Sequence, residues 1–291
     1  DAVQREGWPQ PQRSLRREGW ALERPDVLRL LEKLRRSGTP LGEYVGGRFY
    51  RGVVTGSDRV FVIDRTTRQQ LVDADLRNAE IIKPWLRGRD VKRWRIDWAG
   101  LYVIFTRRGI DIDRYPDVRD YLAQFKDRLS PGVPGGRKPG PYKWYEIQDS
   151  TAYYTELQKP KIIYQKFQVG PRFTFDEQGT FVNSAIWMLI SEDLCLLAVL
   201  NSPLGWFLVQ NHCTRIQRGY QLIWGYFRHI PIALPTPAQR AAIEALVRKL
   251  LDAEGQGPQV AEWERELNAL VYELYGLTEE EIGVVEGLDH E

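Results

Sequence analysis

Apolar residues recur at helical spacing in several stretches and gather into strand-length runs between them. In residues 24–37 (RPDVLRLLEKLRRS), Val27, Leu30, Leu31 and Leu34 share one helix face, and Gly38 with Pro40 ends it. Residues 115–129 (YPDVRDYLAQFKDRL) predict a helix opened by Pro116 and Asp117, with Val118, Tyr121, Leu122 and Phe125 inward. Residues 51–64 (RGVVTGSDRVFVID) carry a glycine-punctuated hairpin signal, with Phe61, Val62 and Ile63 as a buried strand. Residues 81–94 (IIKPWLRGRDVKRW) start like a strand and enter a turn rich in cations. Further strands are predicted in 101–106, 159–165, 172–176 and 180–190. Residues 192–212 read as two apolar helices broken at Asn201-Ser202-Pro203. The end is helical, with one stripe of Ile243, Leu246, Val247, Leu250 and Leu251 and another of Trp263, Leu267, Leu270, Val271 and Leu274. The linker DAEGQGP between them predicts a helical hairpin, and Thr278 with Glu281 marks the start of one last helix. Strands followed by helices give an α+β class, a mixed or antiparallel sheet with a C-terminal helical bundle.

Composition adds a charge asymmetry to this outline. Residues 251–291 hold 12 acidic residues against one basic, Arg265, while the other 250 hold 40 basic against 27 acidic. A basic body with an acidic helical end suits a polyanion partner for the body. No apolar run nears the roughly 20 residues of a membrane span. Two cysteines in an apolar stretch, Cys195 and Cys213, are expected to be reduced, as in cytoplasmic proteins. The chain opens on Asp1 and its one methionine is Met188, so a longer parent protein is expected.

Catalytic patterns are missing. Three histidines (212, 229 and 290) lack a ligand-spaced partner set for a metal. No G-x-S-x-G elbow occurs. Gly52-Val-Val-Thr-Gly56 has neither the spacing nor the lysine of a phosphate-binding loop. No glycine-rich turn with a downstream acid offers a dinucleotide or S-adenosylmethionine site. What stands out is basic and aromatic. Residues 136–154 (GRKPGPYKWYEIQDSTAYY) interleave Arg137, Lys138 and Lys143 with aromatics, beside Gln148 and Asp149. Lys166 and Arg172 in 164–173, and Arg215, Arg218 and Tyr220 in 214–221, repeat the pattern. The Gly/Pro composition of 130–141 predicts an exposed loop bearing Arg137 and Lys138. Such surfaces combine phosphate contact with base readout, although the same residues also suit core aromatics beneath a solvated cationic face.

The order of these segments resembles the TaqI-like C-terminal specificity domain, the target recognition domain of N6-adenine DNA methyltransferases and fused restriction–modification enzymes. The matching residues are Gly52, Thr55, Gly56, Phe61 and Asp64, then Lys83, Pro84, Arg87, Gly88, Arg89, Asp90 and Arg93. KWYEIQDS, KPKIIYQ, RFTFD with Asn183-Ser184, LLAVLNSPLGWF and LVYELYGLTEEEI follow in order. The resemblance implies recognition of double-stranded DNA by a chain that itself lacks catalytic, cofactor and metal residues. Methyl transfer from S-adenosylmethionine would belong to an N-terminal methyltransferase domain of the same parent, with or without a fused endonuclease. It also implies a linker over 1–24, a recognition domain over 25–235 and a helical region over 236–291 packed on it. Arg137, Lys138, Lys143, Gln148, Asp149, Lys166, Arg172, Arg215, Arg218 and Tyr220 are the expected DNA-binding residues. A protein-interaction module using the acidic end, or a free-standing specificity subunit, remains the alternative.

Overall fold

A computed structural model describes residues 24–150 and 152–287. All of the expected 1–24 linker except Arg24 lies outside the described residues.

The centre is a four-stranded antiparallel sheet in the order Phe49–Arg51, Ile186–Leu189, Lys161–Gln165, Phe173–Asp176. Both of its faces are buried, and strand alternation sends successive residues to different cores. Ile162, Tyr164, Phe173 and Leu189 enter one cluster. Ile163, Ile186 and Met188 enter the other. On the first side lie the helices Leu194–Asn201 and Pro203–His212, with the C-terminal helices behind them. Asp193 caps the former helix, accepting from the Cys195 and Leu196 amides. Ser202 caps the latter, and Pro203 at its first position lets the chain restart at a 71° bend. No single described helix is long and apolar enough to cross a membrane.

The helical end follows the two stripes. Pro237–Asp252 and Val260–Leu274 place Ile243, Val247, Leu250, Leu267 and Val271 in the same core as the central sheet. Glu279–Glu286 begins with the expected capping box of Thr278 and Glu281, and Glu281 also pairs with Lys33 at 2.5 Å on the N-terminal helix Pro25–Ser37. The Tyr275 hydroxyl donates to the Pro231 carbonyl and accepts from the Ala233 amide, fastening this bundle to the strand Pro231–Ile232.

On the other face, a mixed four-stranded sheet runs Val62–Ile63, Tyr102–Ile104, Ile82–Leu86, Phe181–Val182, the last pairing parallel. The predicted 180–190 strand is therefore split. The Asn183 side chain accepts from the Ala185 amide, and the turn delivers the two halves to different sheets. The 115–129 helix is likewise two pieces, Pro116–Ala123 and Lys126–Leu129.

The 51–64 segment is not a hairpin. Phe49–Arg51 belongs to the central sheet and Val62–Ile63 to the mixed one, so the chain crosses from one to the other. The helical turn Asp58–Phe61 contains Phe61, which the sequence places in a strand. Gly56 sits at φ +83°, and a Cβ there would lie 2.9 Å from Gln148 Cβ and 3.1 Å from Arg137 Cδ. Glycine is needed both for the left-handed turn and for this close approach.

Candidate nucleic-acid interface

The Gly/Pro loop is built around Arg137, which is 5% exposed. This corrects its expected place on an exposed loop. Its Nε donates to Leu129 O at 2.7 Å, Nη1 to Thr55 O and Glu146 O at 3.1 and 2.7 Å, and Nη2 to Lys143 O and Trp144 O at 3.1 and 3.0 Å. All five guanidinium N–H groups thus meet backbone carbonyls, which a planar fork can do and an ammonium cannot. The Tyr142 ring lies 4.5 Å away and the Phe61 ring 5.3 Å. Burial holds the guanidinium below its ordinary pKa. Glu146, also buried, accepts from the Gly109 and Lys143 amides. Arg137 is committed to the loop, which presents Lys138 and Lys143 to solvent.

Asp149 is committed too. Its Oδ2 accepts from Arg51 Nη2 at 3.2 Å and from the Val54 amide at 3.3 Å. Gln148 bonds through its backbone to Thr55 and Arg108, while its half-buried carboxamide makes no hydrogen bond among the described residues. The Tyr153 hydroxyl donates to Arg51 O, and burial, then the Asp149 charge, push its pKa up to about 12.

The remaining candidates collect on a three-stranded antiparallel sheet, Thr214–Ile216, Gly219–Gln221 and Phe167–Gln168. The Gln168 side chain holds the 169–172 loop, accepting from the Arg172 amide and donating to Gln165 O. Lys166, Arg172, Arg215 and Arg218 surround this sheet. None forms an ion pair among the described residues, and neither 164–173 nor 214–221 contains an acid. Tyr220 is half-buried. Its ring meets Trp206 edge-on at 5.6 Å, on the inner face shared with buried Gln168.

The two groups of cations are joined across the edge of the central sheet. Arg51, which holds Asp149, is the register partner of Trp187, and Lys166 lies 5.8 Å from that indole ring. Sequence reasoning missed the outward face of the three-stranded sheet, which carries Thr214, Ile216, Gln221 and Phe167. Alternation within TRIQRGYQ was the available signal, but the face toward solvent depends on pairing with the distant Phe167–Gln168.

Two other places have a more limited chemistry. Asp193, Cys195 and Glu244 bring ligand atoms within 4.8 Å of one another. Arg240 already neutralises both carboxylates, at 3.0 and 3.4 Å, and burial pushes the Cys195 thiol up to about 12, so the cluster suits an ion-pair network better than a metal. A cleft of about 400 Å³ is lined by Glu80, Lys83, Arg107, Asp111, Arg114 and Tyr154, among others. Its three cations face two carboxylates, so its charge selects no ligand class.

A family model for the TaqI-like C-terminal specificity domain matches residues 83–232. The chain is 27% identical over 285 residues to the type II methyltransferase M.PaeR7I of Pseudomonas aeruginosa, covering 93% of this chain and 45% of that protein. It is 23% identical over 276 residues to the type II methyltransferase M.BstVI of Geobacillus stearothermophilus, covering 92% and 46%. The chain therefore spans about half the length of the curated relatives it matches. In fold it is similar to the type IIL restriction–modification enzyme MmeI, solved in complex with DNA. The TM-score is 0.57 at 14% identity, over 82% of this chain and 34% of that one.

Proposed function

The chain belongs to the TaqI-like C-terminal specificity domain family, and from that premise we propose that it recognises a sequence in double-stranded DNA for an adenine-N6 DNA methyltransferase of a restriction–modification system. The observation that carries the reading is the acid-free cationic rim of the three-stranded sheet. Lys166, Arg172, Arg215 and Arg218 lack carboxylate partners among the described residues, whereas Arg48, Arg51, Arg77, Arg87 and Arg95 are ion-paired. Cations left unpaired together are available to phosphates. Lys138 and Lys143, exposed on the Gly/Pro loop, are further candidates for phosphate contact. Gln148, with its free carboxamide, is the candidate in the loop region for a base edge.

Methyl transfer falls to the rest of the parent protein. S-adenosylmethionine would supply the methyl group there. The buried, free thiols of Cys195 and Cys213 suit a cytoplasmic protein. Extruding an adenine costs a few kcal/mol, which interactions around the emptied site offset. This chain's part is to hold the duplex in register beside the methyltransferase domain.

A salt titration of duplex binding tests the reading. Binding through about six phosphates weakens by roughly three orders of magnitude between about 50 and 200 mM salt. Replacing Lys166, Arg172, Arg215 or Arg218 with glutamine lowers the logarithmic salt slope by about 0.9 for each phosphate that is no longer neutralised. A slope unchanged by all four substitutions rejects the proposed surface.

A further inference from the structure

We infer that the outward face of the three-stranded sheet enters the DNA major groove and reads A·T pairs, with Ile216 and Phe167 against thymine methyl groups and Gln221 on adenine. The inference rests on the DNA-recognition reading above and adds what is recognised.

The register places the side chains. Ile216 pairs with Gly219, and Gln221 pairs with both Thr214 and Phe167. Paired residues share a face, as do residues two apart, so Thr214, Ile216, Gly219, Gln221 and Phe167 lie on one side. Tyr220 and Gln168 lie on the other, turned toward the protein. Gly219 leaves the middle of the outward face bare, and the Phe167 ring covers it. A Cβ there would stand 2.7 Å from Phe167 Cζ. The result is a flat apolar strip from Ile216 to Phe167.

That strip is open to water. Ile216 is 37% exposed, Phe167 41% and Val169, just beyond the strand, 52%. Single exposed hydrophobic residues are ordinary, but two on one small sheet with a third just beyond its strand mark a contact surface. The charges around it identify the partner. Arg172 and Arg218 lie in the loop and the turn that bound the strip, while Lys166, next to Phe167, and Arg215 stand at positions of the opposite face. The absence of acids from both segments leaves the small sheet positively charged, which suits phosphate backbones. Three strands about 4.8 Å apart span roughly 10 Å, which fits a major groove about 12 Å wide and not a minor groove of about 6 Å.

The chemistry of the strip then selects the base. Apolar side chains in the major groove meet the thymine C5-methyl group, and glutamine bonds adenine N6 and N7. The Gln221 carboxamide makes no hydrogen bond among the described residues, so it is free to do so. No carboxylate on this face could accept from cytosine N4. Arg215, the side chain suited to guanine, pairs with Tyr220 and belongs to the opposite face.

The test uses the full-length protein and random-sequence duplex pools synthesised with thymine or with uracil in its place. Uracil pairs identically and lacks only the methyl group. Sequences selected from the thymine pool are expected to contain A·T pairs. Thymine is expected to be preferred by about four-fold for each methyl buried. The Phe167→Ala/Ile216→Ala variant should lose that preference and keep its salt slope, because both side chains are exposed and neither is charged. Phe167→Leu should retain it. Equal retention of the two pools by the unaltered protein, or a preference that survives the double substitution, overturns the inference while leaving DNA recognition intact. No binding to either pool at low salt overturns the DNA-recognition reading itself.

Discussion

Replacing Arg137 with methionine separates holding the loop from touching DNA. Methionine keeps much of the length and apolar packing of the stem but removes every donor. At about 1.5–3 kcal/mol for each hydrogen bond to a charged group, five bonds would total roughly 8–15 kcal/mol. That equals the whole stability of an ordinary domain, so the full sum is not realised. The bonds from Nη2 to Lys143 O and Trp144 O are only partly buried, and water can replace the donor at those two carbonyls. The bonds to Leu129, Thr55 and Glu146 are buried. Thr55 O keeps the Gln148 amide as a donor, so two buried carbonyls, Leu129 O and Glu146 O, are left without one, and at about 1–3 kcal/mol each the expected loss is about 2–6 kcal/mol. Urea unfolding followed by tryptophan fluorescence measures it. Arg137→Lys should recover part of the loss, since an ammonium can donate to three carbonyls at most. The salt slope for duplex binding by the folded variant should stay unchanged. An unfolding free energy altered by less than about 0.5 kcal/mol, the range of surface substitutions, with the slope reduced by about 0.9, would refute the structural role and place the guanidinium on a phosphate.

Lys161 and Asp176 form a fully buried ion pair at 2.6 Å, on the mixed-sheet side of the central sheet. Lys161→Met should cost about 3–5 kcal/mol by stranding the carboxylate. The same substitution should cost less in an Asp176→Leu background, which a double-mutant cycle in urea will show. His212 has its pKa lowered, first by burial, against a favourable hydrogen bond to Leu208 O and with Arg35 and His229 adding repulsion. The unfolded chain therefore takes up a proton before the native one does. This contribution to stability is complete above about pH 6.5, the unfolded value, and is lost as pH falls through the lowered native value. Urea midpoints at pH 7.5 and 5.5 should differ less in His212→Asn than in the unaltered protein; an equal difference rejects the assignment.

The N-terminal helix, the broken apolar pair and the C-terminal helices were legible because local rules decide them, whereas Arg65–Ala74, with few apolar residues, predicts no helix and 115–129 predicts one helix where there are two. The break at Asn201-Ser202-Pro203 and the Thr278–Glu281 box are read from neighbouring residues, and the apolar stripes fix which face turns inward. The sheets were not. Phe49–Arg51 pairs with Ile186–Leu189 across more than a hundred residues of chain, and no local signal distinguishes a hairpin from a crossing between two sheets at 51–64. Among the site candidates, composition correctly marked 130–141 as irregular but misplaced Arg137. Irregular backbone leaves carbonyls unpaired, and a buried arginine is one of the few side chains able to collect five of them. The pairing of Asp149 with Arg51 and the Val54 amide was not legible either, since those partners lie nearly a hundred residues away. The Arg87-Gly-Arg-Asp90 motif also has a structural role. Asp90, 3% exposed, grips the Arg87 guanidinium at 2.8 and 3.1 Å and its backbone amide at 2.8 Å.

The central sheet, with alternate residues in two separate cores, also bears on how such a protein can change its target. It acts as a party wall between two compartments. A substitution at Ile163 is felt on one side and at Ile162 on the other, but the outward side chains of the small outer sheet, Phe167, Ile216 and Gln221, belong to neither core. Phe167, Ile216 and Gln221 can be exchanged without disturbing the wall, so new sequence preferences are open to selection at little cost in folding. The wall resists change while the rim is free to drift.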